Sequence, residues 1–303
     1  MYHSYFTGMP WGRFKEFISP EADRFTILKE LLDEAGLDNS ALDIAGNRHI
    51  LIVPPPPERP AHAPQQKLSL QQTPLLAAHY DRVPGSPGAN DNSAAVFILL
   101  ETAIKLKSGG AKNWAVIFTD KEELEAGESI QAQGSYTLAL DLKNHGLENP
   151  KIFSFDACGA GDTLIISTTA EHLLKKEGGM EKLQRSVMEL RQLALDTARN
   201  LGMAKVLLAP TPFSDDAGFL RAGTAAQTIT MLPSAECIRL VSELRRNPAL
   251  ADTFISAGPR QNTNTNSIPE TWRSLNSPSD SYLRLTPEHF RAVLRFAEAL
   301  CRG

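Results

Sequence analysis

The sequence predicts an α/β fold in which a central sheet is covered by helices on both faces. Short apolar runs, typical of buried strands, alternate along the chain with longer segments of helical periodicity. The chain has 303 residues, of which 42% are hydrophobic and 22% charged. This is the composition of a globular protein that is long enough to bury a large core.

The first predicted elements are a helix and a strand pair. Ser19-Pro20 is typical of a helix start, apolar residues follow at helical spacing, and Gly36 is typical of a helix end. Two short apolar segments, 41–45 and 49–53, then predict two strands joined by a tight turn.

The rest of the chain alternates between strands and helices. Apolar runs predict buried strands at residues 75–78, 114–118, 152–155, 164–167, 206–209 and 226–231. Helical periodicity predicts an amphipathic helix at 94–107, a long helix at 183–201 and a terminal helix from Pro287. Such alternation favours a mostly parallel sheet. Residues 247–274 are polar and aperiodic, which predicts an irregular surface excursion.

Charge and cysteine content exclude several classes of protein. The formal net charge of −4 argues against a surface for nucleic acid or anionic membranes. No apolar run approaches the roughly 20 residues that span a bilayer, and the N-terminus lacks a signal-peptide pattern. The three cysteines, Cys158, Cys237 and Cys301, form no C-x-x-C pair. We therefore expect a cytoplasmic protein without a nucleic-acid or membrane partner.

Polar side chains gather where the predicted strands end. His79 follows one strand, the pair Glu122-Glu123 follows the next and Asp156 a third, while Asp91 precedes a helix. Open α/β sheets bind their ligands at the carboxyl ends of strands. Imidazole and carboxylate ligands suit zinc, with cobalt or manganese also possible. A further carboxylate that is not bound to metal can move a proton, so the set predicts a metal-dependent hydrolase.

Each of these residues also has an ordinary structural interpretation. A lone His-x-Asp is usually a surface pair, and adjacent glutamates more often begin a solvated helix. Asp156 could simply cap the loop after its strand. The occurrence of all of them at successive strand ends favours a site.

Five longer motifs surround these residues. In chain order they read AAHYDRVPGSPGANDNSAAVFILLE, VIFTDKEE, FSFDACGAGDTL, PFSDDAGFLRAGTAA and LNSPSDSYLRLTPEHF. Together they resemble the zinc aminopeptidases of peptidase family M28, from about residue 70 to the C-terminus. The resemblance implies one zinc-exopeptidase-like domain over residues 1–303, a three-layer αβα sandwich with a mixed, mostly parallel central sheet. It also implies one or two Zn²⁺ ions and a peptide or aminoacyl substrate, cleaved at its amino-terminal amide bond.

The resemblance further implies a role for each matching residue. The implied metal ligands are His79, Asp91, Glu123 and Asp156. Asp91 would bridge two metals, and Glu122 would be the general base. Asp81 would hydrogen-bond the second imidazole nitrogen of His79 and fix its orientation. The peptide bond between Asp91 and Asn92 would be cis.

The chain departs from the family at the last ligand. The family has a histidine in an H-T/S-P-x-D context, and the matching segment here begins with Asn276 and ends with Asp280. An amide oxygen binds zinc more weakly than imidazole does, so the second metal would keep only Asp91 and Glu123 as strong ligands. Asn276 is equally well explained as a turn residue before Pro278. The family's SDH triplet is altered to Ser214-Asp215-Asp216.

Three alternatives remain at this point. A glutaminyl-cyclase-like acyltransferase would use one zinc held by Asp91, Glu123 and the late histidine, and Asn276 argues against it. A degenerate, binding-only member would explain the departure at Asn276, although Glu122 is retained. A hydrolase with one metal would use His79, Asp91 and Asp156 alone.

Overall fold

A computed structural model of the chain describes residues 11–54, 72–144, 150–177, 180–255 and 267–302. The strands are β1 (Asn39–Ile44), β2 (Asn47–Ile52), β3 (Pro74–His79), β4 (Ala115–Thr119), β5 (Lys151–Phe155), β6 (Thr163–Ser167), β7 (Val206–Ala209) and β8 (Ala226–Leu232). The helices are α1 (Trp11–Phe17), α2 (Arg24–Glu34), α3 (Ala94–Ser108), α4 (Gly134–Asn144), α5 (Thr169–Glu177), α6 (Glu181–Asn200), α7 (Asp215–Arg221), α8 (Ser234–Arg246), α9 (Leu250–Ile255), α10 (Glu270–Ser274) and α11 (Pro287–Arg302).

All of these strands belong to one eight-stranded sheet with the order β1-β2-β4-β3-β5-β8-β6-β7. The pairs β3–β4, β3–β5, β5–β8 and β6–β7 are parallel. The hairpin β1–β2, its junction with β4 and the pair β6–β8 are antiparallel. The sheet is therefore mixed and mostly parallel, as the resemblance implies.

Alternate residues of the strands face two separate apolar layers. On one face, Leu76 and Ala78 of β3 join a core that includes Phe97 of α3 and Phe296 of α11. On the other face, Leu75 and Ala77 pack with residues of α4 and α7. Because side chains alternate along a strand, each face of the sheet needs its own helical cover. The fold is thus a three-layer αβα sandwich.

Helix α3 differs from the amphipathic helix that the sequence predicts. Its first ten residues, 94–103, are buried around the whole circumference. Phe97 packs edge-on against Phe14 and Phe17 of α1, with ring centroids 5.1 and 5.6 Å away. Helix α1, which the sequence pattern did not predict, therefore contributes to the burial of α3.

The predicted helix start at Ser19-Pro20 is wrong. Helix α2 begins at Arg24, and the N-cap is Asp23, whose carboxylate accepts a hydrogen bond of 3.1 Å from the backbone N–H of Thr26. Aspartate at this position satisfies a backbone donor that has no partner within the helix. The carbonyls of Ser19 and Pro20 lie outside the helix, where a guanidinium group from elsewhere in the chain binds them.

The stretch 247–274 is not wholly an irregular surface segment. Among its described residues are the helices α9 and α10, and Trp272 is buried. The Trp272 ring packs edge-on against Phe254 at a centroid distance of 5.4 Å. Residues 256–266 lie outside the described part of the chain.

Two negative observations hold for the described residues. None of their helices is both long and apolar enough to cross a membrane. Cys158, Cys237 and Cys301 are buried and form no disulfide.

Phe97 of α3 contacts both Phe14 and Phe17 of α1, so its truncation tests the packing of these two helices. We expect Phe97→Ala to lower the free energy of unfolding by about 3–5 kcal/mol, because a buried ring is lost and a cavity remains. Urea unfolding of the metal-free protein measures this loss. The control is Ile238→Ala, where the side chain is 72% exposed and the expected change is within about 0.5 kcal/mol. Similar losses in the two variants would contradict the packing described.

Candidate metal centre

The candidate residues meet at the carboxyl ends of three neighbouring parallel strands. His79 is the last residue of β3, which lies between β4 and β5 in the sheet. Asp156 directly follows β5, and Glu122 lies three residues after the end of β4. Asp91 lies in a helical turn, Ala89–Ser93, that leads into α3. The sheet order therefore brings together side chains that are far apart in the sequence.

The imidazole of His79 is the centre of the cluster. Its Nε2 lies 3.2 Å from Oδ1 of Asp91 and 3.7 Å from Oδ1 of Asp156. Potential ligand atoms of these three residues all lie within 4.8 Å of one another. Glu122 and Glu123 form a second such group with the same histidine. The five candidate residues thus form two groups that share His79.

Asp81 orients both the histidine and the glutamate pair. One carboxylate oxygen lies 3.5 Å from Nδ1 of His79, on the side of the ring away from Asp91 and Asp156. The two oxygens also accept hydrogen bonds from the backbone N–H groups of Glu122 (3.1 Å) and Glu123 (3.0 Å). Burial opposes ionisation of Asp81, but the histidine and these two donors outweigh it and lower its pKa.

Glu122 is held by a residue that the sequence motifs did not reveal. The side-chain amide of Gln133 donates hydrogen bonds to Oε1 (3.0 Å) and to the backbone carbonyl (3.1 Å) of Glu122. Gln133 precedes α4 at the end of the loop that follows Glu123. Nothing in the local pattern of that loop distinguishes this glutamine from a surface residue.

The position of Asp91 is set by Asp280. The buried carboxylate of Asp280 accepts hydrogen bonds from the backbone N–H groups of Asn90 (2.9 Å) and Asp91 (3.0 Å). The peptide bond between Asp91 and Asn92 is cis, as the resemblance implies. The last residue of the N-S-P-S-D segment therefore contacts the site directly.

Two asparagines join this turn to the segment that carries Asp156. The side chain of Asn92 donates to the carbonyl of Phe155 (2.8 Å) and accepts from the N–H of Ala157 (3.3 Å). The side chain of Asn90 accepts from the N–H of Gly159 (2.7 Å). These bonds fix the spacing between Asp91 and Asp156.

Asn276 has a different position from the other candidate ligands. It is exposed and adopts a φ of +58°, a left-handed conformation that asparagine tolerates better than most residues. The contacts of the described residues do not join Asn276 to the cluster around His79. Its role as a ligand stays a prediction.

The altered S-D-D triplet supplies two more buried acids behind the site. Asp215 accepts a hydrogen bond of 2.6 Å from the hydroxyl of Thr119, at the end of β4. Asp216 stands in the position of the family's histidine and accepts from the N–H of Ser214. Burial is the main cause that raises the pKa of Asp215 to about 6 and that of Asp216 to about 7.

The site concentrates negative charge in a buried volume. Burial, with added repulsion from neighbouring carboxylates, raises the pKa values of Asp91, Glu122 and Glu123. Burial alone lowers the pKa of His79, but contacts with Asp156, Asp81 and Asp91 raise it well above its usual value. Buried carboxylates of this kind are costly unless a cation neutralises them.

The residues fit a divalent metal. Several buried atoms of the cluster have no hydrogen-bond partner among the described residues, including Nε2 of His79, Oδ1 of Asp156 and Oε1 of Glu123. Such atoms are available as ligands, and one imidazole with two carboxylates is a donor set that zinc accepts. Asp81 lies 3.5 Å from the second imidazole nitrogen, where metal-binding histidines usually have a carboxylate or carbonyl.

The turn before Asp91 allows a paired test of backbone crowding. A Cβ atom on Gly88 (φ +60°) would lie 2.7 Å from the carbonyl oxygen of Asp91, whereas one on Gly85 (φ +86°) would meet nothing within 4 Å. We expect Gly85→Ala to cost about 1–2 kcal/mol for the left-handed conformation. Gly88→Ala should cost about 1–3 kcal/mol more, because the Asp91 turn must move. Equal unfolding free energies of the two variants in urea would exclude this crowding.

Comparisons with known proteins found a family profile and several solved structures that are similar to the chain. The sequence profile of peptidase family M28 matches residues 61–282. No curated protein sequence is detectably similar to the chain.

Solved structures share the fold at low sequence identity. BSAP, a zinc aminopeptidase from Bacillus subtilis, is 20% identical with a TM-score of 0.52, over 84% of this chain and 48% of that chain. This chain thus spans about half the length of the Bacillus enzyme. A leucine aminopeptidase precursor from Bacteroides thetaiotaomicron is 15% identical with a TM-score of 0.62, over 100% of this chain and 98% of that chain. A glutaminyl cyclase from the same species is 16% identical with a TM-score of 0.63, over the same shares of the two chains.

Proposed function

Because the chain belongs to peptidase family M28, we propose that it is a metal-dependent aminopeptidase that hydrolyses N-terminal peptide or aminoacyl amide bonds. The observation that carries this proposal is the convergence of His79, Asp91 and Asp156, with ligand atoms within 4.8 Å of one another. Glu122 is buried beside the same histidine. A metal-binding group and an acid–base group thus share one site.

His79, Asp91 and Asp156 would hold one zinc ion. When bound, zinc supplies a Lewis acid that activates water and polarises the substrate carbonyl. Glu123 lies on the side where a second ion would bind, and its burial and its proximity to Asp91 raise its pKa. With Asn276 in place of an imidazole, this second position is the weaker one.

Glu122 moves the proton in this reaction. It takes a proton from the attacking water and delivers it to the leaving amine, which is the usual task of a carboxylate not bound to metal. The hydrogen bond of 3.0 Å from Gln133 holds its Oε1, and Asp81 holds its backbone N–H. Both contacts keep the carboxylate in one position relative to His79.

The glutaminyl-cyclase alternative shares the fold but fits the residues less well. That chemistry would rely on Asp91, Glu123 and a late histidine for its single metal. In this chain the matching position is Asn276, whereas the ligands His79 and Asp156 of the other half are both present. The residues therefore favour hydrolysis.

Exchange of the proposed base tests the mechanism. We expect Glu122→Gln to lower kcat on aminoacyl 4-nitroanilides by about 10²–10⁴-fold, because the amide cannot take up the proton. Zinc content by elemental analysis should stay at the wild-type level. Glu125→Gln, the same change at an exposed residue of the same loop, should leave both quantities unchanged. Full activity of Glu122→Gln would remove this residue from the reaction.

Metal stoichiometry tests the proposed sites. We expect about one tightly bound zinc per wild-type chain and none in His79→Ala, because both groups of possible ligands include this imidazole. Elemental analysis after dialysis measures the content, and a chelator should abolish cleavage. Wild-type protein without metal, or without turnover of any aminoacyl amide, would contradict the enzyme assignment. Conversion of glutaminyl amides to pyroglutamyl products without hydrolysis would assign the cyclase activity instead.

A further inference from the structure

A buried arginine connects the N-terminal helices to the metal centre. Arg24 is the first residue of α2 and lies outside the segment 61–282 that matches the family. It is only 6% exposed and forms no ion pair with a carboxylate among the described residues, which is rare for a charged residue. The Arg24 guanidinium lies 4.9 Å from the centroid of the Phe17 ring, and its Nε donates to the carbonyl of Phe17 (3.2 Å).

The two terminal nitrogens of Arg24 bind both segments that carry the proposed ligands. Nη1 donates to the carbonyls of Tyr80 (3.0 Å) and Asp81 (3.2 Å). Nη2 donates to the carbonyls of Pro87 (2.7 Å) and Gly88 (3.4 Å). These two nitrogens therefore donate to four backbone carbonyls in two separate segments of the chain.

Those four carbonyls are close in sequence to the ligands. Tyr80 follows His79, and Asp81 is the residue whose carboxylate lies beside the imidazole. Gly88 lies three residues before Asp91. The rigid fork of a guanidinium sets a fixed distance between its acceptors, whereas an ammonium group on a flexible chain does not.

A second arginine makes the reciprocal connection. Arg82, in the loop after β3, donates to the carbonyls of Ile18 (3.0 Å), Ser19 (2.6 Å) and Pro20 (2.9 Å). Arg24 thus binds the loop after β3, and Arg82 of that loop binds the turn between α1 and α2.

Arg24 also places positive charge next to the acidic cluster. Burial, followed by repulsion from Arg82, lowers its pKa to about 9, while Asp81, Asp91 and Asp280 oppose that shift. The side chain therefore stays charged at neutral pH. Its charge reduces the repulsion between the buried carboxylates on the other side of the loop.

We propose that Arg24 is a positioning residue of the metal centre, which fixes the two ends of the loop 80–88 so that His79 and Asp91 face the same ion. The inference rests on the metal site proposed above. A positioning role of Arg24 would make α2 part of the support of the metal centre, although the family match does not include this helix. Because residues that orient metal ligands typically contribute about 10–100-fold in metal affinity, the effect is measurable.

The test compares zinc affinity in three full-length variants. Arg24→Met removes the charge and the donors, and Arg24→Lys keeps the charge without the fork. Arg13→Met is the matched control, because the described ion pairs of Arg13 join Glu16, Glu30 and Glu34 within α1 and α2. The zinc dissociation constant comes from competition with a chromogenic chelator. The visible spectrum of added Co²⁺ reports the ligand geometry, and urea unfolding gives the stability of each metal-free variant.

We expect Arg24→Met to weaken zinc binding about 10–100-fold and to change the Co²⁺ spectrum, with a smaller loss in Arg24→Lys. Arg13→Met should bind zinc within about twofold of the wild type, whatever its loss of stability. Wild-type affinity in Arg24→Met, with only its stability reduced, would overturn the positioning role and leave the metal site intact. Should Arg24→Met fail to fold, Arg24→Lys decides by the same criterion. A wild-type chain that binds no zinc would overturn the proposed function, and this inference with it.

Discussion

Several carboxylates are buried around one imidazole at the carboxyl edge of the sheet, and most of the surrounding structure serves to hold them there. Like charges in a poorly solvated volume repel one another strongly. The chain offsets this repulsion with fixed donors: the imidazole of His79, the N–H groups that bind Asp81 and Asp280, and the guanidinium of Arg24. The negative charge that these donors do not offset favours binding of a divalent cation near His79, Asp91 and Asp156.

The same contacts make the site rigid. Its loops are held in part by side chains that bind the backbone of another segment, as Asn92 does for Phe155 and Gln133 for Glu122. Such bonds fix both the position of the loop and the rotamer of the side chain that makes them. Preorganisation of this kind is what a metal-assisted proton transfer requires, because small displacements of the reacting groups are costly.

The N-terminal helices are part of this support. Helix α1 buries the face of α3 through Phe14 and Phe17, and α3 follows directly on the turn that carries Asp91. Arg24, at the start of α2, donates hydrogen bonds to the loop 80–88, which precedes the turn that carries Asp91. The centre therefore depends on residues before the segment that defines the family, although every proposed ligand lies within the segment.

The sequence by itself determined the class of fold and the set of strand-end residues. Apolar runs and helical periodicity are local patterns, and His79, Glu122, Glu123 and Asp156 follow such runs directly. Only the tertiary structure decided how α2 begins, why the first ten residues of α3 are buried on all sides, and which residues support the site. Asp280 is 189 residues from Asp91, and Arg24 is 56 residues from Tyr80. Bonds of this kind, from a side chain to a distant backbone group, leave no periodic pattern in the sequence, because they depend only on which loops the sheet order brings together.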